Sequence, residues 1–231
     1  MPARPDAVMI FAAGLGTRMR PLTRDRPKAL VEVAGRALID HALALARRAG
    51  ARRIVVNTHY RGDMLAAHLA GQGDVTLSPE ATLLDTGGGL AAALPRLGPG
   101  PVLTLNADAV FTGANPLSAL ADAWAPGRME ALLMLVPCAR ARAHAGGGDF
   151  ALDGAGRLVR GGALIHTGAG VIDPARLARW PATAFSLNPV WDAMIADGAA
   201  FGMVHPGGWC DVGHPDAIAE AEAMLAGGGD A

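Results

Sequence analysis

Residues 7–23 read AVMIFAAGLGTRMRPLT, and this stretch decides what kind of fold the chain can adopt. Its first half is a short, continuous apolar run that ends at glycine, which is typical of a parallel strand buried on both faces. Its second half is a loop rich in glycine, threonine and arginine. A glycine-rich turn directly after a strand lets backbone N–H groups approach a phosphate chain closely. The stretch therefore predicts a strand that opens into a phosphate-binding loop.

Two better-known glycine loops do not match this segment. The dinucleotide-binding fingerprint of dehydrogenases needs a third glycine where Met19 stands, and a Walker A loop needs Gly-Lys-Ser/Thr. A Gly-x-Gly pair alone is as often an ordinary tight turn as a ligand loop. Thr17 and Arg18 beside the pair, with Lys28 shortly downstream, favour the phosphate-binding interpretation.

Lys28 is the only lysine among the 20 lysine and arginine residues of the chain. The sequence otherwise uses arginine, and a compact ammonium is not interchangeable with a planar, weakly hydrated guanidinium. Two interpretations stay open. Lys28 is either retained by chance on a solvated surface or contacts a phosphate whose charge grows during transfer, and the second is favoured.

Outward from the loop, apolar runs alternate with helical patterns. Strands are predicted at 7–13, 54–56, 75–77 and 102–105, and helices at 37–49, 63–69 and 90–97, the last one following a glycine run. This alternation predicts an α/β fold with a doubly wound, Rossmann-like sheet and right-handed crossovers.

The second half of the chain has a looser pattern. Further strands are predicted at 132–136, 150–152, 158–159 and 163–172, with a turn at 153–156 between the middle two. Helices are predicted to open at Asn115-Pro116 and Asn188-Pro189 and to close the chain over 215–225. We expect one domain over 1–226, a mixed sheet with small β insertions, and a flexible tail at 227–231.

The composition limits the possible classes of function. Of the 231 residues, 51% are hydrophobic and 18% are charged, and the formal net charge is −1. The sequence contains no basic stripe of the kind that indicates a nucleic-acid partner, so we expect none. Cys138 and Cys210 have no metal-type spacing, which argues against a disulfide framework and a zinc site. No apolar run approaches the roughly 18 to 20 residues that span a bilayer, and no signal-peptide pattern opens the chain, so we expect no membrane contact and a cytoplasmic location.

Five segments together resemble the sugar-1-phosphate nucleotidyltransferase family. They are Gly14-x-Gly16-Thr17-Arg18-x-x-Pro21-Leu22-Thr23 with Pro27-Lys28, Asp85 to Gly89, Asn106 to Asp108, Gly148 to Phe150, and Trp209 to Gly213, and they fall in the family's order across almost the whole chain. The resemblance implies a fold of the nucleotide-diphospho-sugar transferase type. It also implies an enzyme that joins a nucleoside triphosphate to a sugar 1-phosphate and releases pyrophosphate.

The resemblance assigns roles to particular positions. Arg18 and Lys28 are the expected catalytic residues, and Asp108 and Asp211 are the expected Mg²⁺ ligands, although a strand-end aspartate is by itself about as often a cap or turn former. The expected nucleotide-binding residues are Ala13, Gly14, Gly16, Thr17, Glu80, Thr86, Gly87, Gly88 and Asn106. The expected sugar-binding residues are Asn57, Tyr60, Asp149, Phe150 and Asn188.

One position departs from the family pattern. Relatives often carry a second lysine near the sugar phosphate, and Ser186 stands at that place. Either Arg18 and the metal suffice, or the acceptor is held differently.

The short length and the Thr86 to Gly89 segment most resemble N-acetylmuramate-1-phosphate uridylyltransferases, which act in bacterial cell-wall recycling. That resemblance makes UTP and N-acetylmuramic acid 1-phosphate the expected substrates. Transfer to mannose or glucose 1-phosphate, and a non-catalytic nucleotide-sugar sensor, stay as alternatives. The sequence indicates no oligomeric state.

Overall fold

The computed structural model describes residues 4–144, 146–180 and 183–227. Gly227, the first residue of the predicted tail, ends the last helix, and 228–231 lie outside the described residues. In the part of the chain that is described, no helix has the length and apolar character needed to cross a membrane.

The elements follow the predicted order, with several short strands in addition. The α-helices are α1 (Leu38–Arg48), α2 (Gly62–Leu69), α3 (Asp85–Leu97), α4 (Pro116–Ala123), α5 (Asn188–Ala196) and α6 (Ala217–Gly227). The strands are β1 (Ala7–Phe11), β2 (Glu32–Val33), β3 (Arg36–Ala37), β4 (Arg53–Thr58), β5 (Val75–Pro79), β6 (Val102–Asn106), β7 (Ala109–Phe111), β8 (Ala131–Pro137), β9 (Ala141–Arg142), β10 (Phe150–Leu152), β11 (Leu158–Arg160), β12 (Leu164–Ile172), β13 (Ala200–Val204) and β14 (Trp209–Asp211).

The main sheet is mixed, as the sequence predicts. Its order is β11-β10-β12-β6-β1-β4-β5, and β8 joins β12 to β13. β1 runs parallel to both β4 and β6, β4 runs parallel to β5, and β12 is antiparallel to β6. The parallel half therefore carries the doubly wound part of the fold, and the antiparallel strands are the β insertions.

β1 lies at the centre of the sheet because both of its faces are apolar. Val8 and Ile10 belong to the apolar cluster on the face that α1 covers, whereas Ala7 and Met9 belong to the cluster on the face of α3 and α5. Successive side chains of a strand point to opposite faces, so a continuous apolar run is what a strand covered on both sides requires.

A small second sheet brings distant carboxylates together. β14 pairs antiparallel with β7, so that Asp211 lies opposite Ala109, and the amide of Val212 donates to the carbonyl oxygen of Asp108 at 3.1 Å. Strands of two or three residues are too short for hydrophobic periodicity to reveal, and the sequence did not predict this sheet.

The prediction that the glycine run precedes the third helix is wrong. α3 begins at Asp85 and includes Gly87, Gly88 and Gly89 in its first turns. All three glycines are buried, and a Cβ at Gly88 would lie 2.6 Å from the carbonyl oxygen of Thr183. Glycine is present here because another part of the chain packs directly on the helix backbone, which outweighs its low helix propensity.

Candidate active site

Lys28 and Asp108 form an ion pair where β1 and β6 end. The Nζ atom of Lys28 lies 2.5 Å from Oδ2 of Asp108, and the two side chains are only 14% and 28% exposed. Asp108 follows β6 by two residues, and Lys28 opens a short 3₁₀ helix, Lys28–Leu30. In open α/β sheets, ligands bind outside the carboxyl ends of the strands, and this pair lies at that edge.

Asp211 and Arg18 complete a charged cluster around this pair. Burial raises the pKa of Asp211, and the neighbouring charge of Asp108 raises it further, while Lys28 and Arg18 act in the opposite direction. A Cβ placed on Gly213 would lie 3.2 Å from the carboxylate of Asp211 and 3.4 Å from Nη1 of Arg18. The cluster therefore holds two carboxylates and two cations from four separate segments.

The glycine loop leaves its first amides free. Within the described residues, the amides of Gly14, Leu15, Gly16 and Thr17 donate to no protein acceptor, and loop bonding starts with the amide of Met19 on the carbonyl of Gly16. Gly16 has φ +62°, and a Cβ there would lie 3.1 Å from Cβ of Lys28. Free amides beside Arg18 are the groups that a phosphate chain requires.

A cavity of about 570 Å³ opens next to Asp108. Glu80 and Asn57 form its buried polar wall: Nδ2 of Asn57 donates to Oε1 of Glu80 at 2.7 Å, and Oδ1 of Asn57 accepts from the amide of Ala12 at 2.7 Å. The other carboxylate oxygen of Glu80 accepts from the amide of Leu84 at 2.9 Å. This network fixes the end of β1 relative to the start of α3.

A second cavity of about 310 Å³ lies beside the first, and the two share Phe11, Asp85, Thr86 and Asn106. In its wall, Oδ2 of Asp149 accepts from the amide of His166 at 2.9 Å. The His166 and Trp191 rings meet edge to face with centroids 4.9 Å apart, and neither Nε2 of His166 nor Nε1 of Trp191 has a hydrogen-bond partner among the described residues. Burial lowers the pKa of His166 to about 4, so the ring is neutral at neutral pH.

The structure gathers most of the predicted site residues at these two cavities. Those lining the larger cavity are Ala13, Gly14, Asn57, Glu80, Thr86, Asn106 and Asp108. Those lining the smaller cavity are Thr86, Asn106, Asp149, Phe150 and Asn188. Lys28 lines a narrow cleft together with Gly14 and Asp108, which continues from the larger cavity. Gly16, Thr17, Arg18 and Asp211 lie in the loop and cluster described above.

Three predicted residues, Tyr60, Gly87 and Gly88, have surroundings that differ from the prediction. The hydroxyl of Tyr60 donates to the carbonyls of Thr23 (3.2 Å) and Arg24 (2.8 Å), whereas Asn57 lines the larger cavity with Glu80. The amides of Gly87 and Gly88 both donate to the carbonyl oxygen of Phe185. The amides of Gly87 and Gly88 are therefore already satisfied, and Tyr60 holds the end of the glycine loop instead of lining either cavity.

Sequence reasoning missed several cavity residues, above all His166 and Trp191. One signal was present, because His166-Thr167 interrupts an otherwise apolar run in β12. After it, Gly168 adopts φ +82° at a register shift, where a Cβ would lie 2.7 Å from the side-chain amide of Asn106. The bulge turns β12 against the end of β6, and no periodicity in the sequence encodes that contact.

Asp108 and Asp211 fit a magnesium ion. They supply hard carboxylate oxygens, which Mg²⁺ prefers, and the two residues lie on paired segments, since Asp211 is opposite Ala109 and the amide of Val212 donates to the carbonyl oxygen of Asp108. No group of three or more His, Cys, Asp or Glu side chains suited to a metal occurs among the described residues. Further ligands would therefore have to come from substrate phosphates and water, as is usual for Mg²⁺.

Fold and site define a class of protein: an α/β nucleotidyltransferase with a glycine loop and an acidic pair at the strand edge. The chain belongs to the family of MobA-like NTP transferase domains, whose family model matches residues 8–209. The solved inositol-1-phosphate CTP transferase from T. maritima shares the fold, with a TM-score of 0.78, 16% identity and full coverage of both chains.

Two relatives are similar over nearly their whole length. N-acetylmuramate alpha-1-phosphate uridylyltransferase of Caulobacter vibrioides is 42% identical over 98% of this chain and 99% of its own length. The enzyme of the same name from Neisseria meningitidis serogroup B is 37% identical over 94% of this chain and 96% of its own length.

Proposed function

We propose that this protein transfers the uridylyl group of UTP to N-acetylmuramic acid 1-phosphate, releases pyrophosphate and uses Mg²⁺. The observation that carries the proposal is the pair of adjoining cavities, the larger of which is lined by Asp108 of the Lys28–Asp108 ion pair. A transfer between two phosphate-bearing substrates needs two such spaces with neutralising charge between them. The substrates named in the two relatives supply the choice of nucleotide and sugar.

In this mechanism the protein supplies no nucleophile. An oxygen of the sugar 1-phosphate attacks the α-phosphorus of UTP, and the bond from that phosphorus to the β,γ-pyrophosphate breaks. Phosphoryl-type transfers depend on positioning and charge stabilisation more than on covalent chemistry. The amides of Gly14 to Thr17 and the guanidinium of Arg18 would hold the β- and γ-phosphates and then the departing pyrophosphate.

Lys28 would neutralise charge that builds near the α-phosphate, and its ion pair with Asp108 keeps the ammonium in place before substrate binds. Asp108 and Asp211 would hold Mg²⁺. When bound, the ion would neutralise phosphate oxygens and orient the two substrates.

We assign the larger cavity to the nucleoside and the smaller one to the sugar. Glu80 supports the first assignment, because its carboxylate can accept a hydrogen bond from the N3–H group of uracil, and cytosine has no such hydrogen. The smaller cavity suits a sugar because its wall combines Asp149 and Asn188 with the apolar faces of Phe150 and Trp191.

The deciding experiment is pyrophosphate release with Mg²⁺, in which UTP, GTP, CTP and dTTP are each combined with four sugar 1-phosphates. The sugars are N-acetylmuramic acid, N-acetylglucosamine, glucose and mannose. We expect strong release with UTP and the muramic acid substrate, and loss of release when Asp108→Asn removes a metal ligand from a folded protein. Release with a different pair would replace the proposed substrates, and no release from any pair with folded protein would contradict the activity.

A further inference from the structure

If the proposed function holds, the smaller cavity must accept a second negative charge on the sugar, and its described lining offers no lysine or arginine to balance that charge. The role inferred for Arg160 rests on that function. N-acetylmuramic acid 1-phosphate carries a lactyl carboxylate in addition to its phosphate. The charged residues that line the cavity are Asp85 and Asp149, and none of its described lining residues is lysine or arginine. Ser186, also in the wall, is neutral. A second anion on the sugar therefore needs a cation from just outside the lining.

Arg160 lies at the rim of this cavity. It is the last residue of β11, directly opposite Phe150 in the ladder with β10, and its Cζ atom lies 4.6 Å from the centroid of the Phe150 ring. Its Nη2 donates to the carbonyl oxygen and to Oδ1 of Asn188 at 3.1 and 3.2 Å. Phe150 and Asn188 both line the cavity, so Arg160 contacts the wall from two sides.

The guanidinium is held in place and is still available to a ligand. Nε of Arg160 lies 2.6 Å from Oδ1 of Asp192, while Nη1 donates to no protein acceptor among the described residues. The side chain is 36% exposed. Its charge also reaches the interior of the cavity wall, because it is one of the groups that lower the pKa of His166. A guanidinium presents its N–H groups in a fixed fork that matches a carboxylate.

We propose that Arg160 is a specificity-determining residue that binds the carboxylate of the acceptor sugar. The free N–H groups of Nη1 donate to this carboxylate, while Phe150, Asn188 and Asp192 keep the guanidinium at the rim. Arg160 thereby favours an acidic acetamido sugar over its neutral counterpart and takes no part in the bond-making step.

The test compares two acceptors that differ in the lactyl group, N-acetylmuramic acid 1-phosphate and N-acetylglucosamine 1-phosphate. Binding of each is measured by calorimetry and turnover by pyrophosphate release, for the wild type, Arg160→Gln and Arg128→Gln. Arg128 is the matched control, since its Cζ lies 4.8 Å from the ring centroid of Phe201 and it lines neither cavity. We expect Arg160→Gln to weaken binding of the muramic acid substrate about tenfold or more, the usual scale for a lost hydrogen bond to a charged group. Binding of the neutral sugar should change less than about twofold, and Arg128→Gln should change neither.

Asp192→Asn provides a second variant that keeps Arg160 and removes its competing carboxylate. We expect its affinity for the muramic acid substrate to be equal to or higher than that of the wild type. Equal losses for both sugars in Arg160→Gln, or no loss for the acidic one, would overturn the role of Arg160 while leaving the proposed reaction standing. Wild-type protein that binds the acidic sugar but does not turn it over would overturn the proposed reaction, and the binding comparison would still decide on Arg160. Failure of the wild type to bind that sugar would overturn both.

Discussion

The single charge of Lys28 has two roles in the candidate active site. It is the only lysine of the chain, and it lies in the cluster that holds the carboxylates of Asp108 and Asp211. A single ammonium beside Asp108 reduces the repulsion between Asp108 and Asp211. It also lies in the cleft that joins the glycine loop to the larger cavity, where a transferred phosphate would pass. The same charge thus stabilises the acidic pair and serves the proposed reaction.

Replacing Lys28 with alanine should lower kcat on the order of 10²- to 10³-fold, which is the usual effect of losing one preorganised transition-state contact. Lys28→Arg should recover only part of this rate, because a planar guanidinium does not reproduce a point charge. Pyrophosphate release gives the rates, and circular dichroism verifies the fold.

Arg47→Ala is the matched control for this substitution. It also breaks an ion pair, with Asp74 at 2.7 Å, but on an exposed surface away from both cavities, so kcat should stay unchanged. A tenfold or smaller loss in Lys28→Ala would contradict a role in the transition state.

At the level of elements, the start of α3 and the segment from Thr183 to Asn188 form one unit. The carbonyl of Phe185 accepts from the amides of Gly87 and Gly88, and the hydroxyl of Thr86 accepts from the amide of Leu187 at 2.9 Å. The segment then supplies Ser186, Leu187 and Asn188 to the smaller cavity. The glycines of α3 therefore position the proposed sugar site through the chain packed on them.

Gly88→Ala should destabilise the protein and raise KM for the sugar phosphate. The added Cβ would lie 2.6 Å from the backbone oxygen of Thr183, and overpacking of this kind costs about 1–3 kcal/mol. The gain in helix propensity from glycine to alanine is at most about 1 kcal/mol, so the loss should dominate. Urea denaturation and the KM of the acceptor measure the two effects.

Gly73→Ala serves as the reference for this change, because a Cβ at Gly73 would meet no atom of the described residues within 4 Å. Its unfolding free energy and KM should match those of the wild type. If Gly88→Ala proved as stable and as active as Gly73→Ala, the segment from Thr183 to Asn188 would be able to move away from the added Cβ without cost, and it would not shape the site.

For the whole molecule, the sheet places both cavities at one edge and buries titratable groups behind them. Burial lowers the pKa of His166 from 6.5 to about 4. Between these values the unfolded chain binds the proton and the folded chain does not, so the free energy of unfolding falls as the pH is lowered through this window. The loss amounts to about 1.4 kcal/mol per pH unit and about 3 kcal/mol in total.

His166→Gln should remove this part of the pH dependence. Burial also lowers the pKa values of His41 and His205, so the wild type should lose stability in acid through several groups, and only the difference between the two proteins reports on His166. Urea denaturation at several pH values from 7 to 4.5 measures that difference. If the curves of unfolding free energy against pH run parallel, His166 does not titrate as a buried neutral ring.

The sequence alone determined the class of fold, because the alternation of strands and helices is a local pattern, and the family resemblance identified the four residues of the charged cluster. The pairing of β7 with β14, which brings Asp211 next to Asp108, was not predicted. The apolar run of β1, the alternation up to β6 and the motifs around Arg18, Lys28, Asp108 and Asp211 can each be read within a few residues. The predicted caps and turns at Asn115 and over 153–156 were confirmed for the same reason, since each is a local hydrogen-bonding preference.

Only the tertiary structure decided what the glycines of α3 pack against, where Tyr60 and Asn57 lie, and which polar atoms face the smaller cavity. Gly88 meets Thr183 across almost a hundred residues, and the bulge at Gly168 turns β12 against Asn106. Arg160 comes to the cavity only through its pairing with Phe150 and Asn188. Local patterns fix the conformation of short segments, whereas contacts between segments far apart in sequence depend on register and packing, which composition and periodicity do not record.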